Sequence, residues 1–397
     1  MKYLAFLLTF LLFANINYSQ DKKIMEDVQG IIKEVRAKYA PDKRTALLKI
    51  DVKAQKGIAH LEGETNIPEA KNELLKKMSE YGIKCNDMIN VLPAKELGDK
   101  IYGVVNASAA YLRTGPQHAA EMATQCLMGW PVKILKKERE GWLLVQTPEN
   151  YIAWVDDDAV ALKTKAELDE YFAAKKVIYL GDFGFSVKNP DMTSQVVSDV
   201  VKGNVFKLLQ TIGNLTQIEY PDKRTAYVES DKVKDLNEWF DGIVVNDDQI
   251  IKTAKSLMGI PYFWGGTSIK GLDCSGFVKT VYYLNGIFLD RDASQQALQG
   301  ENVDIKNGFG QLKKGDLLFF GKKGTDSTKE RITHVGMYLG DYEFIHESGR
   351  VTINSLDPQK ENFSQYRFNM FVKAKRIIGS INKNVLDFIS SNKFYGK

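Results

Sequence analysis

Cys274, His334 and His346 are the residues whose types and order could carry covalent chemistry in this sequence. Cys274 lies in Asp273-Cys274-Ser275-Gly276-Phe277, and Phe277, Val278, Val281 and Tyr282 follow it at the spacing of one face of an amphipathic helix. Asp273 is a natural N-cap, and Gly286 stands where a C′ residue would end the helix. The pattern places a thiol at a helix N-terminus, where the dipole lowers its pKa toward thiolate. His334 and His346, two of the chain's four histidines, follow in strand-like segments. A thiol attacks a carbonyl only when a base takes its proton and a third group orients that base; His334 suits the first role and His346 the second. Gly340-Asp341 is a hairpin-turn signal that sets the two histidines almost opposite each other on adjacent strands. Facing residues there have Cβ atoms about 4.5–5.5 Å apart, and a one-residue slip would part the rings. Two other readings use the same residues. One is a buried cysteine with two separately satisfied histidines, which fits each residue alone better than all three together. The other is a zinc site, for which no HExxH or CxxC spacing is present.

Such residues need a scaffold. From about Asn246 the sequence predicts a helix over Ile250–Met258, the Cys274 helix, and antiparallel strands over Leu317–Phe320, His334–Leu339, Glu343–His346 and Val351–Ile353. A charged surface loop fills the interval from Gly321 to Thr333. Upstream, short strands and turns dominate from Tyr102 to Leu162 and, beyond a helix over Lys163–Ala174, again from Val177 to Lys234. The N-terminal part alternates a helix (Ile24–Tyr39), strands (Thr45–Val52, Gly57–Glu62), a helix (Pro68–Tyr81) and a strand (Lys84–Val91), the pattern of a small α+β domain. With no Pro- or Gly-rich linker between these parts, packed domains are expected rather than beads on a string.

Several separated motifs resemble the NlpC-type murein endopeptidases, cysteine peptidases of papain-like fold. Gly259-Ile260-Pro261-Tyr262-Phe263-Trp264-Gly265-Gly266 is similar to the family's segment before the nucleophile, and Asp273 to Phe277 to the nucleophile motif. Arg291-Asp292-Ala293-Ser294-Gln295-Gln296, Gly315-Asp316-Leu317-Leu318-Phe319-Phe320, Thr333-His334-Val335-Gly336-Met337-Tyr338 and Phe344-Ile345-His346 follow in family order. Ahead of them Tyr111-Leu112-Arg113-Thr114-Gly115-Pro116, Gly129-Trp130-Pro131-Val132, Gly141-Trp142-Leu143-Leu144-Val145 and Tyr151-Ile152-Ala153-Trp154-Val155 resemble a bacterial SH3-like barrel. Gly57 to Glu64 with the helix and strand after it is faintly similar to BON-type modules.

The resemblance implies an α+β multidomain chain. Its parts would be a signal peptide (1–20), a small α+β domain (21–98), an SH3-like β-barrel (99–162), a second, divergent barrel (175–240), a C-terminal papain-like α+β peptidase domain (246–380) and a tail (381–397). By the same resemblance the backbone N–H of Cys274 and the side chain of Tyr262 stabilise the oxyanion. Core packing is the other reading of Tyr262 and of Trp264, and the preferred one for Trp264. In relatives with SH3-like domains a carboxylate and a hydroxyl hold the free amine of an N-terminal L-alanine. Asp292 and Ser294 occupy that segment here, with Ser275 joining the substrate-binding set. Glu121 and Tyr151 match an acid and an aromatic that cap the site from the first barrel; a solvated acid and a barrel-core tyrosine is the equal alternative. The activity implied is hydrolysis of the γ-D-glutamyl–diamino acid bond of murein stem peptides with a free L-Ala, without metal or organic cofactor. A hydrolase of intact wall and a wall-peptide-binding protein with an inert peptidase domain are its rivals.

Composition narrows the field. At 397 residues two to four domains are expected, and 44% hydrophobic with 26% charged residues is the make-up of an ordinary soluble protein. A net charge of +4, from 54 basic and 50 acidic residues, with no basic block interleaved with aromatics, gives nucleic-acid binding no support. Lys2 followed by the apolar run Leu4–Ala14 reads as a secretory leader cleaved near Ser19 or Gln20, too short for a membrane span and without a cysteine for a lipid anchor. An exported enzyme, periplasmic or extracellular, is the expectation. Cys85 and Cys126 could pair after export, but two small buried hydrophobes in different domains is the preferred reading.

Overall fold

The computed structural model describes residues 2–138 and 140–380; the tail expected over 381–397 lies outside the described residues. The chain divides into two compact units, one of residues up to Gly98 with Ile134–Lys137 and one of the remainder. The first unit runs α1 (Lys2–Tyr39), β1 (Leu48–Gln55), β2 (Ile58–Thr65), α2 (Pro68–Glu80), β3 (Cys85–Val91). β1 pairs antiparallel with β2, and β2 parallel with β3, with α2 as the crossover that a parallel pair requires. Pro68 opens α2 at a position where its missing N–H is harmless, and Ala70, Leu74 and Met78 bury one face of the helix beside Val28, Ile31 and Val35 of α1. Cys85 is exposed at the start of β3, which corrects its reading as a buried hydrophobe; Cys126 is buried, and both are free thiols. Among the described residues no helix is long and apolar enough to cross a membrane.

The second unit begins with β4 (Tyr102–Val105), β5 (Ala109–Arg113), β6 (Met122–Leu127), β7 (Pro131–Glu138, whose middle, Ile134–Lys137, is counted with the first unit), β8 (Trp142–Gln146), β9 (Ile152–Asp156) and β10 (Val160–Lys163). After α3 (Lys165–Ala173) come β11 (Lys176–Tyr179), β12 (Phe183–Val187), β13 (Val196–Val201), β14 (Val205–Ile212), β15 (Leu215–Glu219), β16 (Thr225–Glu229) and β17 (Val233–Asp235), closed off by α4 (Leu236–Asp241). The first sheet is ordered β10-β4-β7-β8-β9-β5-β6. Read from its far edge the second is β17-β11-β14-β15-β16-β12-β13, the same order shifted by seven strands. Each places a single 3-10 turn, Asp157–Ala159 or Ser230–Lys232, before its last strand. The divergent segment is thus a second copy of the first domain's topology. α3 starts where Thr164 and Glu167 cap each other's backbone N–H groups.

The C-terminal part runs α5 (Asp247–Ser256), β18 (Thr267–Ser268), β19 (Gly271–Leu272), α6 (Cys274–Tyr283), α7 (Ala293–Gln296), β20 (Glu301–Val303), β21 (Leu317–Lys322), β22 (Arg331–Gly340), β23 (Glu343–Glu347), β24 (Val351–Ser355), α8 (Gln365–Met370) and β25 (Phe371–Arg376). Its six-stranded sheet has the order β20-β25-β21-β22-β23-β24. Phe277, Val278, Val281 and Tyr282 of α6 are fully buried in one core with Leu317, Phe319, Val335, Met337 and Ile345 of the sheet. Each such burial contributes about 1.5–3 kcal/mol, which presses the Cys274 helix onto the histidine strand. A charge at Val281 would break that contact. β20 and β25 are strands that hydrophobic patterning does not reveal.

Candidate active site

Asp273 caps α6 as expected: its Oδ1 accepts the Gly276 N–H at 2.7 Å, and Gly286 takes φ +79° just beyond the helix. Gly276 is obligatory there, because a Cβ would stand 1.8 Å from the Gly266 carbonyl oxygen. Cys274 is therefore held at the first turn of α6, partly exposed. Its thiol is not shifted toward thiolate. Burial of its surroundings, then the Asp273 carboxylate, push it up to about 11, against the pull of N–H groups from Val335 and Ser275 and the charge of Arg291. Desolvation outweighs the helix end, so the resting sulfur keeps its proton.

His334 on β22 and His346 on β23 are buried, and their rings meet through Nε2 and Nδ1 at 2.8 Å. They are not opposite each other. The turn is Asp341-Tyr342, both at positive φ, one residue beyond the expected turn, and Met337 pairs with Ile345. Continued along the strand, that register sets His346 against Gly336 and leaves His334 diagonal to it on the same face. The missing side chain of Gly336 permits this, since a Cβ there would lie 3.0 Å from both His346 Cβ and the Phe344 ring. His346 Nε2 in turn meets Asn354 Oδ1 at 2.8 Å, while Asn354 Nδ2 donates to the Asn362 carbonyl at 3.0 Å. That last bond orients the amide and so fixes the tautomers. Asn354 Oδ1 accepts from His346 Nε2–H, His346 Nδ1 then accepts from His334 Nε2–H, and His334 keeps Nδ1 as its basic nitrogen. Burial, aided by the nearby Arg367 charge, holds His334 well below the ordinary histidine range and His346 at about 4. Both rings are neutral at pH 7.

Tyr262 is 38% exposed and Trp264 60%, so neither is a core aromatic, which corrects the reading of Trp264. Burial, and then Cys274 and Asp273, raise the Tyr262 phenol, so it remains a proton donor. Trp264 Nε1 donates at 2.8 Å to Oε1 of Glu121, the residue that precedes β6 of the first SH3-like sheet. Phe263 faces Tyr111 of the same sheet at 6.2 Å between ring centroids. Tyr151, buried, directs its hydroxyl to Asp292 Oδ2 at 3.4 Å. Asp292 and Ser294, both half-buried, cap and enter α7. Glu121, Tyr151 and Asp292 thus belong to the junction of the first sheet with the C-terminal part, while Tyr262 acts electrostatically with Cys274 and Asp273.

Ser275 lies beside Cys274 in the first turn of α6. Its hydroxyl donates to Asp273 Oδ1 at 3.1 Å and accepts from Arg291 Nη1 at 2.9 Å, inside a buried network. Arg291, fully buried, also pairs with Asp273 Oδ2 at 2.5 Å and donates to Thr124 Oγ1 of the first sheet at 2.9 Å. Sequence reading found the Arg291 motif without its task, which is to tie the helix cap to the sheet. Asn354 and Glu347 were missed altogether. Glu347 is buried and, among the described residues, neither of its carboxylate oxygens has a hydrogen-bond partner; burial followed by Asp273 pushes it up to about 7.

Residues 259–372 match the NlpC/P60 family, and residues 112–160 match the bacterial dipeptidyl-peptidase Sh3 domain. The chain is 29% identical over 272 residues to a dipeptidyl-peptidase 6 of Lysinibacillus sphaericus, a match covering 66% of this chain and 94% of that protein. It is 44% identical over 99 residues to a gamma-D-glutamyl-L-lysine dipeptidyl-peptidase of Bacillus cereus, covering 25% of this chain and 28% of that one. A crystal structure of an NlpC/P60 family protein from Bacillus cereus superposes with a TM-score of 0.59 at 24% identity, covering 70% of this chain and 99% of that one, which is a likeness of fold.

Proposed function

We propose that this chain, which carries an NlpC/P60 cysteine peptidase domain behind a bacterial dipeptidyl-peptidase SH3 domain, hydrolyses the γ-D-glutamyl–diamino acid bond of murein stem peptides with a free N-terminal L-Ala. The observation that carries the reading is the meeting of Asp292 with the Tyr151 hydroxyl beside the cleft, with Glu121 tethered by Trp264. Two carboxylates and a phenol at one end of a cleft suit an ammonium group and offer nothing to a glycan-linked terminus. The names of the relatives support the bond, and the apolar leader supports export.

In this account Cys274 Sγ attacks the γ-carbonyl carbon as His334 Nδ1 takes the thiol proton. Because the thiol sits near pKa 11 and the imidazole below its ordinary value, proton transfer accompanies attack rather than preceding it. The oxyanion is received by the Cys274 backbone N–H, which has no intrahelical acceptor, and by the Tyr262 hydroxyl. His334 then gives its proton to the departing amine, leaving an acyl-thioester. Water adds to it, His334 takes that water's proton, and the thiol is regenerated as L-Ala-γ-D-Glu departs. His346 and Asn354 hold the His334 ring in the tautomer that presents Nδ1, and His346 Nδ1 stabilises the imidazolium as it forms. Incubating L-Ala-γ-D-Glu-L-Lys with the purified chain should release L-Ala-γ-D-Glu and lysine by mass spectrometry, and the Cys274→Ala variant should release neither. Cleavage of intact wall with the tripeptide left whole would overturn the reading.

A further inference from the structure

Arg367 is a charged side chain near the two histidines that the mechanism leaves without a task. It projects from α8, half-buried, and donates from Nη2 to Ser348 Oγ at 3.4 Å, two residues beyond His346. Its guanidinium carbon lies 5.9 Å from the centre of the Phe320 ring, and that ring lies 5.7 Å from His334. Its charge acts on His334 and His346, and Cys274 and Tyr262 act on it, so it belongs to the same electrostatic site. Among the described residues no carboxylate pairs with it. A partly desolvated arginine without an anion is set up to receive one.

Which anion follows from the direction of the reaction. The base returns its proton to the leaving amine, so the leaving group occupies the histidine side of Cys274. A separate group, where α7 meets the first SH3-like sheet, carries Asp292, Tyr151 and Glu121 and suits a cation. Arg367 stands with Phe320 and His334, on the leaving-group side. We infer that Arg367 binds the free α-carboxylate of the amino acid released when the γ-glutamyl bond is cut. The inference rests on the function proposed above and narrows its substrate. A tripeptide ends in that carboxylate, whereas a longer stem converts it to an amide that a guanidinium fork cannot grip as a charge pair.

The test compares L-Ala-γ-D-Glu-L-Lys with its C-terminal carboxamide, using the wild type, Arg367→Gln and Arg367→Lys. The wild type should favour the free acid by about 30-fold in kcat/KM, the worth of a charge-assisted hydrogen-bond pair. Arg367→Gln should lose that advantage to within about threefold, chiefly through KM on the acid, with Arg367→Lys between the two. Because α8 is exposed around Arg367, thermal unfolding of the variants should match the wild type. Equal rates of the wild type on acid and amide would overturn the inference while leaving the proposed function intact. So would an equal loss on both peptides in Arg367→Gln with a displaced pH profile, since Arg367 would then act only on the ionisation of Cys274 and His334. If the wild type cleaves neither peptide, the proposed function itself fails, and this role with it.

Discussion

The two SH3-like sheets share a strand order but not a task. The first lays side chains on the N-terminal end of α6 and its neighbours: Glu121 on Trp264, Thr124 on Arg291, Gln125 on the Thr267 backbone at 2.8 Å, Tyr151 on Asp292. The second touches the other end of that helix, where the Tyr283 hydroxyl donates to the Gly203 carbonyl at 2.8 Å, and pairs Asp199 with Lys270. It also docks on its twin by backbone, Val205 N–H to Met128 O at 3.0 Å. One topology therefore serves twice, once against the segments around the Cys274 turn and once as a brace. The first copy also packs along the later turns of α6, with Trp130 4.9 Å from Tyr283 between ring centroids and Glu149 paired with Lys279 at 3.1 Å. What separates the roles is its further tie through Thr124 and Arg291 to the Asp273 cap beside the thiol.

If that contrast is right, substitutions at the first junction should remove turnover and those at the second should remove only stability. The reference lies outside both junctions, at the base itself: His334→Ala should have the largest effect, roughly 10³-fold or more in kcat, whereas His346→Gln should retain a measurable fraction, because an orienting group contributes less than the base. Steady-state rates on the tripeptide decide this; wild-type activity in His346→Gln would remove it from the mechanism. Arg291→Met should come next. It strands the Asp273 carboxylate in the core and should destabilise the fold by about 3–5 kcal/mol, read as a lowered midpoint in urea.

The legible part of the molecule was what repeats locally. The α6 face, its caps and the strands β21 to β24 are written in spacings of two to four residues, and the motifs ordered along them marked Cys274, His334 and His346. The tie between Arg291 and Thr124 spans 167 positions and has no local signature. The thiol's environment was misjudged because a helix end can be read from sequence and desolvation cannot. Asn354 was within reach: β23 pairs Phe344 with Asn354, which puts the amide on the face of His346, so extending the pairing through the next hairpin would have found it. Glu347, on the other face of β23, has no hydrogen-bond partner among the described residues that a pairing pattern could signal.

That carboxyl gives a pH-dependent test of the electrostatics around Asp273. Its native pKa near 7 exceeds the ordinary value of about 4.3, so the fold holds its proton more tightly than the unfolded chain does. Its contribution is intact below pH 4 and is lost as pH rises to 7. Glu347→Gln should therefore stabilise the protein by roughly 1–3 kcal/mol at pH 8 and by nothing at pH 4, as chemical denaturation at both pH values would show. At the second junction, Tyr283→Phe should cost only about 1 kcal/mol by the same assay, with kcat/KM unchanged within about twofold. A larger loss of activity than of stability there would erase the distinction between the two sheets.

The central claim is that the first sheet completes a site for a free amine, and the most direct measurement is kcat/KM on L-Ala-γ-D-Glu-L-Lys against its N-acetylated form, in the wild type and in Asp292→Asn. The account predicts a wild-type preference of about 30-fold or more for the free amine, from a partly buried carboxylate left without its cation, and a preference reduced to a few-fold in the variant. Equal rates on the two peptides in the wild type would contradict it.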